Sequence, residues 1–129
     1  MSLCPCGTGK KTGECCGIYL SSEASAPTPE ALMRSRYTAY HRVDLDYIEK
    51  TMKSPAADHF NRNDALSRAE KIRWVKLEVI KTDGNAEKGF VEFRAHYCVG
   101  DKTFILHETS EFRCDEGEWY YVDGVQHPC

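Results

Sequence analysis

Four cysteines near the amino terminus are the residues of this chain best suited to chemistry. They form the pattern Cys4-x-Cys6, then eight residues, then Cys15-Cys16. Four thiolates complete the tetrahedral coordination that Zn²⁺ adopts in structural sites, so the pattern predicts a structural zinc site at these cysteines. A segment of about 20 residues cannot fold by hydrophobic burial alone, and metal binding would supply its folding free energy.

The residues between the cysteines suit a bound ion. Gly7, Gly9 and Gly13 permit the tight turns that bring ligands around a metal. Lys10 and Lys11 are suited to offset the negative charge that four thiolates leave on a divalent ion. Three alternatives stay open from the residues alone: buried thiols, a redox-active cysteine pair and an iron–sulfur cluster.

The composition indicates a soluble, globular protein with one main domain. Of its 129 residues, 41% are hydrophobic and 29% are charged, with a formal net charge of −3. There is no basic excess to attract nucleic acid, and the apolar runs are too short for a membrane span. No secretory signal is visible, so seven cysteines favour a reducing, cytoplasmic location over a disulfide framework.

The chain divides into three segments by composition. Residues 1–20 hold the cysteines, residues 21–28 are typical of a small, polar linker, and residues 29–129 form the body. The linker offers few side chains that can pack. We therefore expect few contacts across it, and a body that folds without the cysteine segment.

The body begins with helical signals and continues with strands. Thr28 is placed to cap a first helix and Asp44 a second, shorter one. The apolar period then changes to two, which indicates four strands. Turn signals separate these strands at residues 83–85, 100–101 and 116–117. The expected fold is α+β: an N-terminal zinc module, then helices that cover one face of a curved antiparallel meander.

Hairpin geometry predicts the register of the last three strands. With two-residue turns at 100–101 and 116–117, Ser110 opposes Asp123, and Glu108 lies on the same face. That face also carries the apolar residues that the helices must cover. Polar groups on such a face need partners, so this cluster is the second candidate site.

Two interpretations of this cluster stay open. In one, a cone-shaped cavity holds Glu108 and Asp123 as acid and base, because apolar surroundings push the pKa values of paired carboxylates apart. In the other, Glu108 pairs with Arg34 or Arg36 of the first helix, and Asp123 caps the turn at Gly124 and bonds to Ser110. An enclosed, partly empty cavity that reaches Glu108 favours the first interpretation, and a filled core with an arginine–glutamate pair favours the second. The candidate pocket residues are Arg34, Arg36, Tyr37, Glu108, Ser110, Tyr121 and Asp123.

Several other donors carry weaker signals. His96 and His107 fall on the opposite face of the sheet, where a solvated or partner-facing surface is expected. His127 and Cys129 are able to donate to a metal, although two donors do not make a site.

The cysteine pattern resembles a known zinc module. Cys4-Pro5-Cys6-Gly7-Thr8-Gly9-Lys10-Lys11, followed by Cys15-Cys16-Gly17, is similar to the SEC-C motif at the carboxyl terminus of the SecA translocation ATPase. This resemblance implies zinc at the same four cysteines. It also implies contact with a protein partner such as the chaperone SecB or the ribosome, or with the membrane surface.

The body resembles the YchJ-like bacterial family in three stretches. Two are close, at Leu32–Tyr40 and Trp119–Gly124, and a third, at His107–Phe112, is looser. Members of this family pair the zinc motif with an α+β cone of the nuclear-transport-factor-two-like type. Some carry a second zinc motif at the carboxyl terminus, of which residues 127–129 would be at most a remnant.

The sequence favours a non-enzymatic interaction protein. Its zinc module would dock a protein partner in translocation, chaperoning or translation, and its cone would have room for a small molecule. The alternative is a small-molecule binder, hydrolase or isomerase that uses the cone pocket with Glu108 and Asp123.

Overall fold

The computed structural model describes residues 3–127, which form a group of helices followed by an antiparallel sheet. Among the described residues the α-helices are α1 (Cys16–Leu20), α2 (Pro29–Arg42), α3 (Leu45–Lys50) and α4 (Arg62–Ala69). The strands are β1 (Arg73–Gly84), β2 (Lys88–Val99), β3 (Lys102–Asp115) and β4 (Glu118–Gln126), in the order β1-β2-β3-β4. The predicted α+β meander is confirmed. Pro128 and Cys129, which the sequence analysis included in the body, lie outside the described residues.

Helices α2 and α3 begin at the predicted caps. The Thr28 hydroxyl accepts a hydrogen bond from the Ala31 amide at 3.1 Å, and the Asp44 carboxylate accepts one from the Tyr47 amide at 3.1 Å. Val43 lies between the helices in the left-handed conformation, with φ 60°. This turn ends α2 and leads the chain directly into α3.

Helix α2 is the central element of the core. Its buried residues extend around much of the helix rather than along one stripe, so it needs cover on more than one side. The sheet supplies one side through buried residues such as Phe93 and Phe112. The buried residues of α2 are Leu32, Met33, Ser35, Arg36, Tyr37, Thr38 and Ala39.

The cysteine segment covers another side of α2. The Cys4 sulfur lies 3.5 Å from the Thr38 hydroxyl, and the Arg34 guanidinium donates to the Cys6 carbonyl at 2.5 Å. Three of the cysteines belong to the same buried cluster as the apolar residues of α2. The expectation of few contacts across residues 21–28 is therefore wrong.

The linker itself is attached to the body. Ala26 is buried, the Ser25 hydroxyl donates to the Glu118 carboxylate at 2.8 Å, and the Lys50 ammonium donates to the Ser22 hydroxyl at 2.8 Å. Small side chains do not prevent burial, because they fit closely against a neighbouring surface.

The β2–β3 hairpin has the predicted register, but the pairing of β3 with β4 changes partway along. Phe112 pairs with Tyr121 as expected, whereas Ser110 pairs with Gly124 instead of Asp123. Val122 is the extra residue of a bulge, and every later side chain of β4 changes face. Asp123 consequently lies on the exposed face, opposite Glu111.

The bulge lies where β4 pairs with the chain that follows α3. The Tyr121 amide donates to the Thr51 carbonyl at 2.8 Å, and the Tyr121 carbonyl accepts from the Lys53 amide at 3.0 Å. These bonds hold the backbone of Tyr121 on the edge of β4 that does not pair with β3. Strand β1 also has a register shift after Trp74, which leaves Val75 exposed where strict alternation predicted burial.

A chain that begins at Ala26 tests the shared core. We expect it to melt at a lower temperature, or without a cooperative transition, because it lacks the cysteines that cover α2. Thermal unfolding followed by near- and far-ultraviolet circular dichroism checks this. A truncated chain that melts cooperatively at the temperature of the full chain would contradict the shared core.

Candidate metal centre and adjoining cavity

The first two cysteines lie on a tight loop. The Cys4 amide donates to the Lys10 carbonyl at 2.8 Å, and the Gly7 amide donates to the Cys4 carbonyl at 3.2 Å. Gly7 and Gly9 have φ values of 87° and 83°, which side-chain-bearing residues rarely adopt. These glycines let the loop fold back so that Cys4 and Cys6 are both buried.

The second pair joins them where a 3₁₀ turn (Thr12–Glu14) leads into α1. The four sulfur atoms all lie within 4.8 Å of one another. The Cys15 sulfur lies 3.6 Å from that of Cys6 and 4.0 Å from that of Cys16. A tetrahedral zinc with bonds of about 2.3 Å needs sulfur atoms about 3.8 Å apart, so the arrangement fits a four-thiolate metal centre.

Neighbouring groups shift the pKa values of these thiols in opposite directions. A hydrogen bond from the Cys16 thiol lowers the pKa of Cys6 to about 4, although burial opposes this. The same hydrogen bond, together with burial, raises the pKa of Cys16. The Thr8 hydroxyl lies 3.1 Å from the Cys15 sulfur, within the same network. The cluster thus holds one thiolate readily, and a metal would displace the protons of the others.

Arg34 lies against the cysteine loop and does not line the cavity described below, contrary to the sequence prediction. Its guanidinium donates to Glu30 at 2.9 Å and to the Cys6 carbonyl. Burial alone would lower the pKa of Arg34, but Glu30 and the charge of Cys6 raise it. Arg34 therefore supplies positive charge beside the thiolates, while Lys10 and Lys11 are exposed.

A cavity of about 590 Å³ lies between α2, α4 and the inner face of the sheet. Exposed residues of α4 and the residue before it, including Asn61, Asp64 and Arg68, form its rim, so it opens to solvent there. About a third of the residues in its wall are aromatic. The wall includes Tyr37, Tyr40, Trp74, Phe93, Phe112 and Tyr121.

Glu108 lies in the wall of this cavity. Its carboxylate accepts hydrogen bonds from the Ser110 hydroxyl at 2.7 Å and the Tyr121 hydroxyl at 3.5 Å. Burial raises the pKa of Glu108, and these two hydrogen bonds partly oppose that rise. The predicted face of Glu108, Ser110 and Tyr121 is confirmed.

Gly124 lies beside this carboxylate, in the position that the predicted register gave to Asp123. A Cβ atom on Gly124 would lie 2.5 Å from a Glu108 oxygen and 2.6 Å from the Tyr121 hydroxyl. The Asp123 carboxylate instead accepts a hydrogen bond from the Gly124 amide at 2.9 Å, as the structural interpretation predicted. Glu108 thus lies half-buried in the wall without Asp123 beside it, and the predicted pairing of Asp123 with Ser110 is wrong because of the bulge.

Arg36 also lines the cavity, but its guanidinium is held by other groups. It donates to the Ile48 carbonyl at 2.9 Å and to the Thr51 hydroxyl at 2.7 Å, and it lies 4.7 Å above the Tyr121 ring. Burial lowers the pKa of Arg36, which is only 6% exposed. Within residues 3–127 no ion pair joins Glu108 to either arginine, so that prediction is wrong.

In the described part of the chain, Tyr37 carries the one buried side-chain nitrogen or oxygen atom that lacks a hydrogen-bond partner. Its hydroxyl is buried and has no hydrogen-bond partner among residues 3–127, and the residue is 4% exposed. Burial, together with the charge of Cys6, raises the pKa of Tyr37 to about 12. Tyr37 lines the cavity, but its hydroxyl has no surface exposed there, so a molecule inside would pair with it only after the side chain moves.

Comparisons with known proteins agree with this architecture. Residues 28–124 match the family described as YchJ, middle NTF2-like domain. A UPF0225 protein of Geobacter sulfurreducens is 40% identical over 126 residues, which cover 95% of this chain and 78% of that protein.

Two solved structures have the same fold over nearly the whole chain. The solution structure of a SEC-C motif containing protein from Rhodopseudomonas palustris is 37% identical, with a TM-score of 0.90, and covers 97% of this chain and 98% of that one. The crystal structure of a SEC-C motif containing protein from Psychrobacter arcticus is 26% identical, with a TM-score of 0.81, and covers 98% and 83%. No helix in residues 3–127 is long and apolar enough to cross a membrane.

Replacement of Glu108 by Gln tests the raised pKa of this carboxyl. The Glu108 carboxyl holds its proton more tightly in the folded protein than in the unfolded chain. The free energy of unfolding of the wild type therefore falls as pH rises above 4.5, the ordinary pKa of a glutamate. We expect Glu108→Gln to gain stability relative to wild type as pH rises through this window, and to lose that advantage below it. Urea unfolding between pH 4 and pH 7 measures the difference in the free energy of unfolding between the two proteins. A pKa shift of one unit corresponds to about 1.4 kcal/mol.

The exposed carboxylate of Asp123 provides the control. Asp123→Asn also removes one negative charge, but from the outer face of β4, away from the cavity. Parallel pH profiles for wild type and Glu108→Gln would mean that burial does not raise the pKa of Glu108.

Proposed function

This chain belongs to the YchJ-like family, and from that premise we propose that it is a zinc-stabilised protein that binds a small molecule in its cone. The observation that carries this proposal is a cavity that reaches Glu108 and lies beside the buried, unpaired hydroxyl of Tyr37. A polar atom without a partner costs free energy, so a ligand that bonds to it gains affinity from that atom.

The lining supports a ligand with a flat apolar body and one polar group. Aromatic rings such as those of Trp74 and Phe93 line the cavity and offer surfaces for stacking. Among the inner polar groups, Arg36 and Glu108 already have hydrogen-bond partners in the protein. The hydroxyl of Tyr37 has no partner among the described residues, so we expect it to pair with the polar end of a ligand once the side chain moves to expose it.

Binding is better supported than hydrolysis or isomerisation. Acid–base catalysis by two carboxylates needs both in the cavity, and Asp123 is exposed on the far face of β4. Glu108, which accepts hydrogen bonds from Ser110 and Tyr121, is suited to contact a polar group of a bound ligand.

Zinc is the metal that the cysteine cluster fits best. Four thiolate donors satisfy the ion completely, so it would have a structural role without an open coordination position. Because the cluster packs on Thr38 of α2, next to Tyr37, the ion would stabilise the helix that lines the cavity.

A second proposal is that the outer side of the cysteine segment docks a protein partner. Leu3 is 64% exposed there, beside the exposed Lys10 and Lys11. An exposed apolar residue flanked by lysines suits a partner with an apolar patch and acidic surroundings.

Zinc analysis tests the metal. Protein purified under reducing conditions without chelator should hold about one tightly bound zinc per chain, and Cys15→Ser/Cys16→Ser should lose it and melt at a lower temperature. Elemental analysis and thermal unfolding measure both effects. Cys98→Ser is the matched control, because Cys98 lies outside the cluster. Zinc-free wild type, or full zinc in the double variant, would contradict the assignment.

Two probe molecules test the cavity. 2-Naphthol and naphthalene share an apolar ring system, but only 2-naphthol has a hydroxyl that can pair with Tyr37. We expect Tyr37→Phe to weaken 2-naphthol binding by roughly threefold to tenfold and to leave naphthalene binding unchanged. Fluorescence titration measures the four affinities.

A blocking variant shows whether the probes enter the cavity. Leu106 lines it, so Leu106→Trp should reduce the affinity of both probes. If neither probe binds, or if Tyr37→Phe weakens both equally, the proposed role of Tyr37 is wrong.

A further inference from the structure

Three side chains of types that can bind a metal ion lie close together on the outer face of the sheet, away from the cysteines and the cavity. They are Glu92 of β2, His107 of β3 and His127, which follows β4. One donor atom from each lies within 4.8 Å of the other two. The Glu92 carboxylate lies 2.6 Å from the Nε2 atom of His107, and the two imidazole rings are 4.5 Å apart.

The sheet itself sets this arrangement. The His127 amide donates to the His107 carbonyl at 2.8 Å, which holds the two histidines on neighbouring strands. Glu92 pairs with Thr109, two residues beyond His107, so its side chain reaches His107 diagonally. The Thr109 hydroxyl lies 2.7 Å from Nε2 of His127 and orients that ring. Paired strands thus fix the backbone positions of all three donors.

We propose that Glu92, His107 and His127 form a second metal site, for a divalent transition-metal ion. Two imidazoles and one carboxylate suit ions such as Zn²⁺, Co²⁺ and Ni²⁺. The side chains of His107 and Glu92 are 18% and 29% exposed, so an ion can reach them from solvent. Three protein ligands leave coordination positions for water, unlike the closed set of four cysteines.

The same face holds a matched comparison. His96 and Glu78 also form a close pair, with 2.5 Å between the ring nitrogen and the carboxylate. No third such donor joins this pair in the described part of the chain. If a histidine–glutamate pair alone were sufficient for metal binding, both pairs would bind metal equally.

Cobalt titration of the zinc-loaded protein tests the site. Wild type and His96→Ala should each take up one added equivalent of Co²⁺, measured by calorimetry. His107→Ala and His127→Ala should bind it at least roughly tenfold more weakly. The absorption spectrum of the added cobalt should lack sulfur-to-cobalt charge-transfer bands, because its ligands are nitrogen and oxygen.

A measurement on wild type avoids dependence on the folding of the variants. Paramagnetic Co²⁺ should broaden the ring signals of His107 and His127 in nuclear magnetic resonance spectra at lower metal concentration than those of His96. The proposal is overturned if wild type takes up no added equivalent, if the added cobalt is bound through sulfur, or if all three histidines broaden together.

Discussion

The burial of helix α2 between the cysteine loop and the sheet is the constraint on which the rest of the structure depends. Adjacent residues on this helix serve different neighbours: Thr38 contacts the Cys4 sulfur, and Tyr37 faces the cavity. Arg34 and Arg36 also have different neighbours: Arg34 lies against the cysteine loop, and Arg36 lies over the Tyr121 ring. A disturbance on either side of α2 therefore reaches the other through one rigid helix.

The shape of the cavity depends on a second feature, the bulge at Val122. Backbone bonds from Thr51 and Lys53 hold Tyr121 on one edge while β3 pairs on the other. The extra residue turns Gly124 inward, where the lack of a side chain leaves space for the Glu108 carboxylate. A strictly regular strand would place a second carboxylate there instead, and two buried carboxylates at this spacing would repel each other.

Local signals in the sequence predicted most of the fold. Capping residues such as Thr28, the strand alternation and the two-residue turn at 100–101 each depend on neighbours within a few positions. The bulge was not predictable in this way, because it coincides with a pairing between Tyr121 and Met52, which are 69 residues apart in the chain. The position of Arg34 was missed for a similar reason, since its partner is the Cys6 carbonyl 28 residues away.

An open cavity and a metal cluster are physically complementary in a domain of this size. The space around Tyr37 and Glu108 cannot be filled without loss of the site, so the core lacks the packing that a closed interior would provide. A bound ion would stabilise the folded state through bonds to a few ligand atoms, without the burial of further apolar side chains. Its position against α2 would hold in place the helix that lines the cavity. We infer that a metal ion bound at the cysteines would preserve the shape of the cavity wall.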